Sequence, residues 1–154
     1  MMTLSSQLAL ASLIVAAMVL FHLCGLAGLL AVLRRHRRPR SRMKDIITSV
    51  GVVMTVAFGL FGLHTIEIWG WAAAYRMLGI FFDWEQALYF STTTYVTIGY
   101  GDIVLPHGSR VLGAIEGANG IILLGWSTAF FFNIVDRMKL LERQFEDEAG
   151  HSGV

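Results

Sequence analysis

The sequence predicts an all-α membrane protein: three membrane-crossing helices, with one short helix between the second and third. Three observations carry that fold class. Apolar residues make up 55% of the 154 and charged residues 15%, a balance too apolar for a soluble domain of this size. Three apolar runs, 8–33, 46–71 and 111–135, are each long enough, at about 1.5 Å of rise per residue, to cross a hydrocarbon layer of roughly 30 Å. The charges are also segregated, with seven of the 12 Lys and Arg residues falling within 34–44.

Leu8 to Leu33 holds no Lys, Arg, Asp or Glu. A cleaved leader is set aside, because Met1 to Gln7 has no positive charge and the run exceeds the usual apolar core of about 7 to 15 residues. Cys24, the sole cysteine, lies within this run, so no intrachain disulfide forms and the residue packs as a small apolar side chain. Arg34 to Lys44 follows as a basic loop. Pinned between two apolar spans, it is expected to stay cytoplasmic and to meet anionic lipid head groups, and no nucleic-acid partner is expected.

The second span, Ile46 to Trp71, then runs outward and ends near Trp69, Trp71 and Tyr75, aromatic residues suited to a head-group boundary. Asp83 to Tyr95 is too short to cross. It reads as a re-entrant helix capped by Asp83, with Gln86 completing a capping-box-like pair. The third span, Val111 to Val135, returns inward to Arg137, Lys139 and Arg143. Both basic flanks give one topology, with the N-terminus outside and the C-terminus cytoplasmic in the cell membrane. The chain divides into an N-terminal helix and basic loop (1–45), a central domain (46–140) and a short charged tail (141–154) too small for a folded ligand-binding domain.

The most informative residues lie after the short helix: Thr97-Ile98-Gly99-Tyr100-Gly101-Asp102. A dehydrated monovalent cation needs rings of partly negative oxygens, and Gly99 and Gly101 permit backbone angles that turn consecutive carbonyls the same way. From Trp84 to Asp102 the chain reads Trp-Glu-Gln-Ala-Leu-Tyr-Phe-Ser-Thr-Thr-Thr-Tyr-Val-Thr-Ile-Gly-Tyr-Gly-Asp. This closely resembles the pore helix and selectivity filter of the potassium channel superfamily, of the bacterial type with a single pore loop, here with an extra N-terminal span.

The resemblance implies a homotetramer that conducts K+ passively, with K+ as permeant ion, no cofactor and no enzymatic activity. It carries the ion ligands to the Thr97 hydroxyl and the carbonyls of Thr97, Ile98, Gly99 and Tyr100, with Gly101 and Asp102 at the outer mouth. Tyr100 is expected to wedge against Tyr89 and Phe90 of the pore helix. Two departures stand out. Val96 occupies a position where many members have a second Thr. Thr93 stands where some bacterial members have a Glu that pairs with the residue matching Asp102.

Along the third span, Gly113 and Gly117 at four-residue spacing favour close helix packing. Gly120 matches the family's gating hinge, which sets Leu124, Thr128 and Phe132 along the inner pore with Phe132 as a constriction. His64 and Glu116 fall at similar depths, and ionisable groups in a membrane need partners, so two readings stand side by side: a His64–Glu116 pair behind the filter, or Glu116 bonded to pore-helix hydroxyls with His64 in the interface. No ladder of arginines marks a voltage sensor. Rival readings are a weakly selective cation channel, a non-conducting channel subunit, and a haem or metal protein using His22 and His64, or His64 and Glu67. The last is weakened by His22 lying in a different span and by the lack of a second His-rich motif.

Overall fold

The structure is a computed structural model that describes residues 2–35 and 42–151, with side chains described at 2–34 and 50–137. It contains four helices: α1 (Leu4–Arg35), α2 (Arg42–Met77), α3 (Trp84–Tyr95) and α4 (Arg110–His151). No strand occurs among the described residues. Three of the helices are long and apolar enough to cross a membrane, over Leu4–Arg34, Val50–Met77 and Arg110–Arg137. Leu13, Phe58 and Phe61 point outward from the chain, 69%, 67% and 73% exposed, as lipid-facing residues do. The centre of the basic loop, 36–41, with its expected head-group contact, lies outside the described residues.

Each boundary has a local cause. α2 stops at Gly79, whose φ of 67° no β-carbon-bearing residue adopts cheaply. The Gly79 amide donates to the Arg76 carbonyl and the Ile80 amide to the Tyr75 carbonyl, both at 3.0 Å, which closes the last turn in a Schellman arrangement. α3 starts at Asp83, whose carboxylate accepts from the Gln86 main-chain N–H at 3.1 Å. α4 runs beyond the expected end near Val135 to His151, since Leu140 to Ala149 are mostly good helix formers and no Gly or Pro interrupts them before Gly150.

α1 and α2 run antiparallel and interlock: a β-carbon at Gly25 would stand 2.4 Å from Leu63, and one at Gly59 would stand 2.4 Å from Leu29. α1 also packs along α4. Buried Gln7 accepts from the Val111 amide at 3.3 Å, satisfying one of the orphan donors at the α4 N-terminus. α3 sits between α2 and α4, its buried face meeting an aromatic cluster of Tyr75, Phe81 and Phe90.

Of the aromatic residues expected at a head-group boundary, only Trp69 faces outward, 49% exposed, its ring tilted 38° to that of Trp84 at 5.8 Å. Trp71 and Tyr75 are fully buried. Two residues on is about 200° around a helix, so a sequence cluster of aromatics divides between faces.

Candidate functional site

The short helix α3 delivers the segment 97–102 and decides its shape. At its C-terminus the Thr93 carbonyl accepts from the amides of Ile98 (2.8 Å) and Gly99 (3.0 Å), while Thr97 N–H donates to the Thr94 carbonyl at 3.0 Å. Thr93 therefore supports the segment through its main chain; its hydroxyl bonds back to Phe90 O. Val96 is the C-cap residue of the helix. Beyond it, φ is 59° at Thr97, 56° at Gly99 and 79° at Gly101, while Ile98 and Tyr100 keep negative φ. Thr97 was not expected there. A β-branched residue in this region costs on the order of 1–3 kcal/mol, and it is held by the bonds that close the helix end.

All of 97–102 is exposed in a single chain. Tyr100 is 69% exposed, and within one chain it does not form the expected wedge among the described ring contacts. The two residues expected to receive it lie on different faces of α3. Phe90 points into the core, 5.4 Å from both Tyr75 and Phe81. Tyr89 turns toward the segment and donates from its hydroxyl to Asp102 Oδ2 at 2.8 Å. The bond from Tyr89 holds the Asp102 carboxyl below the usual carboxylate range and raises the Tyr89 phenol. Tyr89, not Thr93, is the partner Asp102 finds.

The sign of that coupling gives a prediction. A lowered acid contributes order that is present above its unperturbed pKa and lost as pH falls through the depressed value. Tyr89→Phe should therefore move the acid titration of Asp102, and with it the loss of order around 97–102, to higher pH. Carboxyl NMR signals followed across a pH series check this, and coincident titrations in variant and parent would contradict it.

Behind the segment lie two buried carboxylates, each on one turn of α3. Glu116 of α4 accepts from the Tyr75 hydroxyl at 2.7 Å and from the Ser91 hydroxyl. Glu67 of α2 accepts from the Tyr95 hydroxyl at 2.6 Å and meets His22 Nδ1 at 2.8 Å and His64 Nδ1 at 2.9 Å. Ser91 and Tyr95 are four residues apart and share a helix face, so the two carboxylates brace successive turns of the same side.

The His64–Glu116 pair of the first reading is not formed. His64 bonds to Glu67, Tyr95 and Ser127, whereas Glu116 takes the pore-helix hydroxyl of the alternative reading. Equal depth in two spans did not specify which faces meet. His22, set apart by the sequence reading, belongs to the Glu67 cluster, its ring 5.4 Å from that of His64.

On α4, glycines make room for α3. A β-carbon at Gly113 would stand 3.2 Å from Phe90, one at Gly117 would stand 3.4 Å from the Thr94 carbonyl, and one at Gly120 only 2.1 Å from the Tyr95 carbonyl oxygen. Gly120, expected as a hinge, is a contact point in this conformation, with α4 continuous across it. Of the expected inner-pore residues, Leu124 is partly buried against the core, and Thr128 and Phe132 lie exposed on one face of α4.

With this geometry in view, the comparison with protein families is decisive. Residues 62–137, from α2 through the short helix to α4, match a family described as Ion channel. Those residues form an ion-channel domain. The match bears out the resemblance carried by Trp84 to Asp102 and makes this a multi-pass membrane channel. No curated protein and no solved structure gave a significant match. The channel's matched region leaves out α1, whose His22 nevertheless reaches the cluster behind the pore helix.

Proposed function

We propose that this channel is selective for K+ and conducts it passively through a homotetrameric filter made by residues 97–101 of four chains. The observation that carries the reading is the alternation of positive and negative φ from Thr97 to Gly101. In an extended strand successive carbonyls face opposite sides. Alternating left-handed and ordinary residues turns them to one side, the arrangement that replaces a hydration shell.

Assembly is supported by exposure. Irregular backbone at membrane depth must be buried in protein or line water, and this segment is open on a single chain. One strand cannot encircle an ion, so several copies around an axis complete the site. Thr128 and Phe132 then line the inner vestibule, and the basic residues flanking the spans support an external N-terminus and a cytoplasmic C-terminus. Anionic lipids are the expected partners of the basic loop.

Reversal potentials of the purified channel in liposomes under opposed K+ and Na+ gradients test the proposal. The potential should follow the K+ gradient, and Gly99→Asp, which brings a carboxylate into a ligand ring, should abolish flux. A potential that ignores the cation gradient indicates a weakly selective pore. Absence of flux from the well-assembled parent chain indicates a non-conducting subunit.

A further inference from the structure

Nothing in the matched ion-channel family region accounts for His22, a fully buried histidine contributed by α1 from outside it. One ring nitrogen of His22, one of His64 and a Glu67 carboxylate oxygen all lie within 4.8 Å of one another, and the nitrogens that face the carboxylate are His22 Nδ1 at 2.8 Å and His64 Nδ1 at 2.9 Å. His22 and Glu67 have no exposed side-chain surface and His64 has 12%. Convergence of two imidazoles and a carboxylate out of water is costly unless something balances it. We propose that these three residues bind a divalent transition-metal ion of the zinc class, clasping α1 to the scaffold of the filter.

The donor set fits that class. Two imidazole nitrogens and one carboxylate are borderline ligands suited to zinc and its first-row neighbours, and unsuited to Ca2+ or Mg2+, which take oxygen. Three protein ligands leave a fourth position. The Tyr95 hydroxyl, 3.0 Å from His64 Nδ1 and 2.6 Å from Glu67 Oε2, stands beside it.

Hydrogen counting favours a cation. With neutral imidazoles, an ionised Glu67 and no metal, the Nε2–H tautomer of His64 would leave its Nδ1 bare beside the carboxylate, so both Nδ1–H groups and the Tyr95 O–H donate to Glu67. Both Nε2 atoms are then bare acceptors, and both face the same hydroxyl, Ser127 Oγ, at 2.9 Å from His64 and 3.4 Å from His22. Ser127 has a single hydrogen, so one buried nitrogen lacks a donor.

A metal at the Nδ1 atoms removes the conflict. Each imidazole then carries its hydrogen on Nε2, and both donate to the Ser127 oxygen, which has two lone pairs. Orientation of a metal-bound histidine by a hydrogen bond from its second nitrogen is the usual support for such sites. The divalent charge offsets that of Glu67. The metal would hold α1, α2, the end of α3 and, through Ser127, α4.

The untagged channel, stripped with chelator and dialysed against Zn2+, should retain one ion per chain by elemental analysis. Co2+ in its place should give the visible absorption of low-symmetry coordination. His22→Gln and Glu67→Gln should lose the ion, whereas His107→Gln, outside the cluster, should keep it. Ser127→Ala, which leaves every ligand in place, should weaken binding about 10- to 100-fold.

Size-exclusion profiles identify any variant that fails to assemble, and Ser127→Ala then decides alone. The proposal is overturned if the parent chain holds much less than one ion per chain at micromolar free Zn2+, or if Ser127→Ala and the ligand variants bind as the parent does. A parent chain that binds no metal while its histidine NMR signals show an additional proton would make the missing cation H+ instead. Metal content is read without conduction, so this result stands or falls separately from K+ selectivity.

Discussion

Gly120→Ala is expected to abolish ion conduction while leaving the long helices formed. Its β-carbon would stand 2.1 Å from the Tyr95 carbonyl oxygen and 2.9 Å from the carbonyl carbon, whereas an ordinary contact lies at 3.4–4 Å. The obstacle is backbone, so no side-chain rotation relieves it. The end of α3 must retreat by more than about 1 Å, at an overpacking cost of roughly 1–3 kcal/mol. Thr97 follows two residues later, and the proposed ring of ligands around an ion does not tolerate such a shift.

Gly125→Ala is the matched control. Nothing lies within 4 Å of its added methyl, and it should be neutral or stabilising by up to about 1 kcal/mol through helix propensity. Liposome flux and thermal unfolding of the two purified proteins separate the effects. Conduction by Gly120→Ala at the parent rate would show that the close contact with the pore helix is dispensable.

The second large effect is expected at Glu67. Its carboxylate is the common partner of His22, His64 and Tyr95, all at 2.6–2.9 Å. Glu67→Ala leaves those three groups facing a cavity in the protein interior, and breaking a buried pair from one side costs about 3–5 kcal/mol. Glu67→Gln keeps the shape but removes the charge and replaces one of the two acceptor oxygens with an amide donor, at about 1–3 kcal/mol. Tyr95→Phe removes one hydroxyl and should cost about 1 kcal/mol.

The melting temperature of the detergent-solubilised assembly should fall in the order Glu67→Ala, Glu67→Gln, Tyr95→Phe, the first losing most. Conduction should fail in the same order, because Tyr95 ends the helix that carries the segment 97–102. Equal melting of Glu67→Ala and the parent would mean that the cluster contributes nothing to the scaffold.

Much of the architecture was legible in residue order. Hydropathy located the three spans, and Asp83 marked the start of the short helix. Gly99 and Gly101 marked where the backbone turns left-handed. The Thr97 conformation was not legible, because threonine avoids positive φ and only the hydrogen bonds at the end of α3 hold it there. The extension of α4 beyond Val135 was written in helix-forming residues, but a tail of mixed charge reads equally well as a solvated end.

The polar clusters divide in the same way. That Glu67, Glu116 and His64 needed partners followed from their placement in apolar spans. The partner identities did not, because helix rise gives depth, while facing depends on how four helices rotate against one another. The spacing of Ser91 and Tyr95 by four residues was the available signal that one side of the short helix carries two hydroxyls for two carboxylates.

Composition, the positions of the spans and the Thr97–Asp102 segment by themselves determined that this is a channel-like membrane protein with three spans and a short helix between the second and third. These properties are local: the length of an apolar run and the freedom of a glycine do not depend on distant residues. Only the tertiary structure decided that α1 reaches the pore scaffold through His22, that Glu67 and Glu116 serve separate turns of α3, and that Gly120 admits the Tyr95 carbonyl. Those are contacts across 25 to 45 residues of chain, and helix periodicity names the face of each residue without naming the face it will meet.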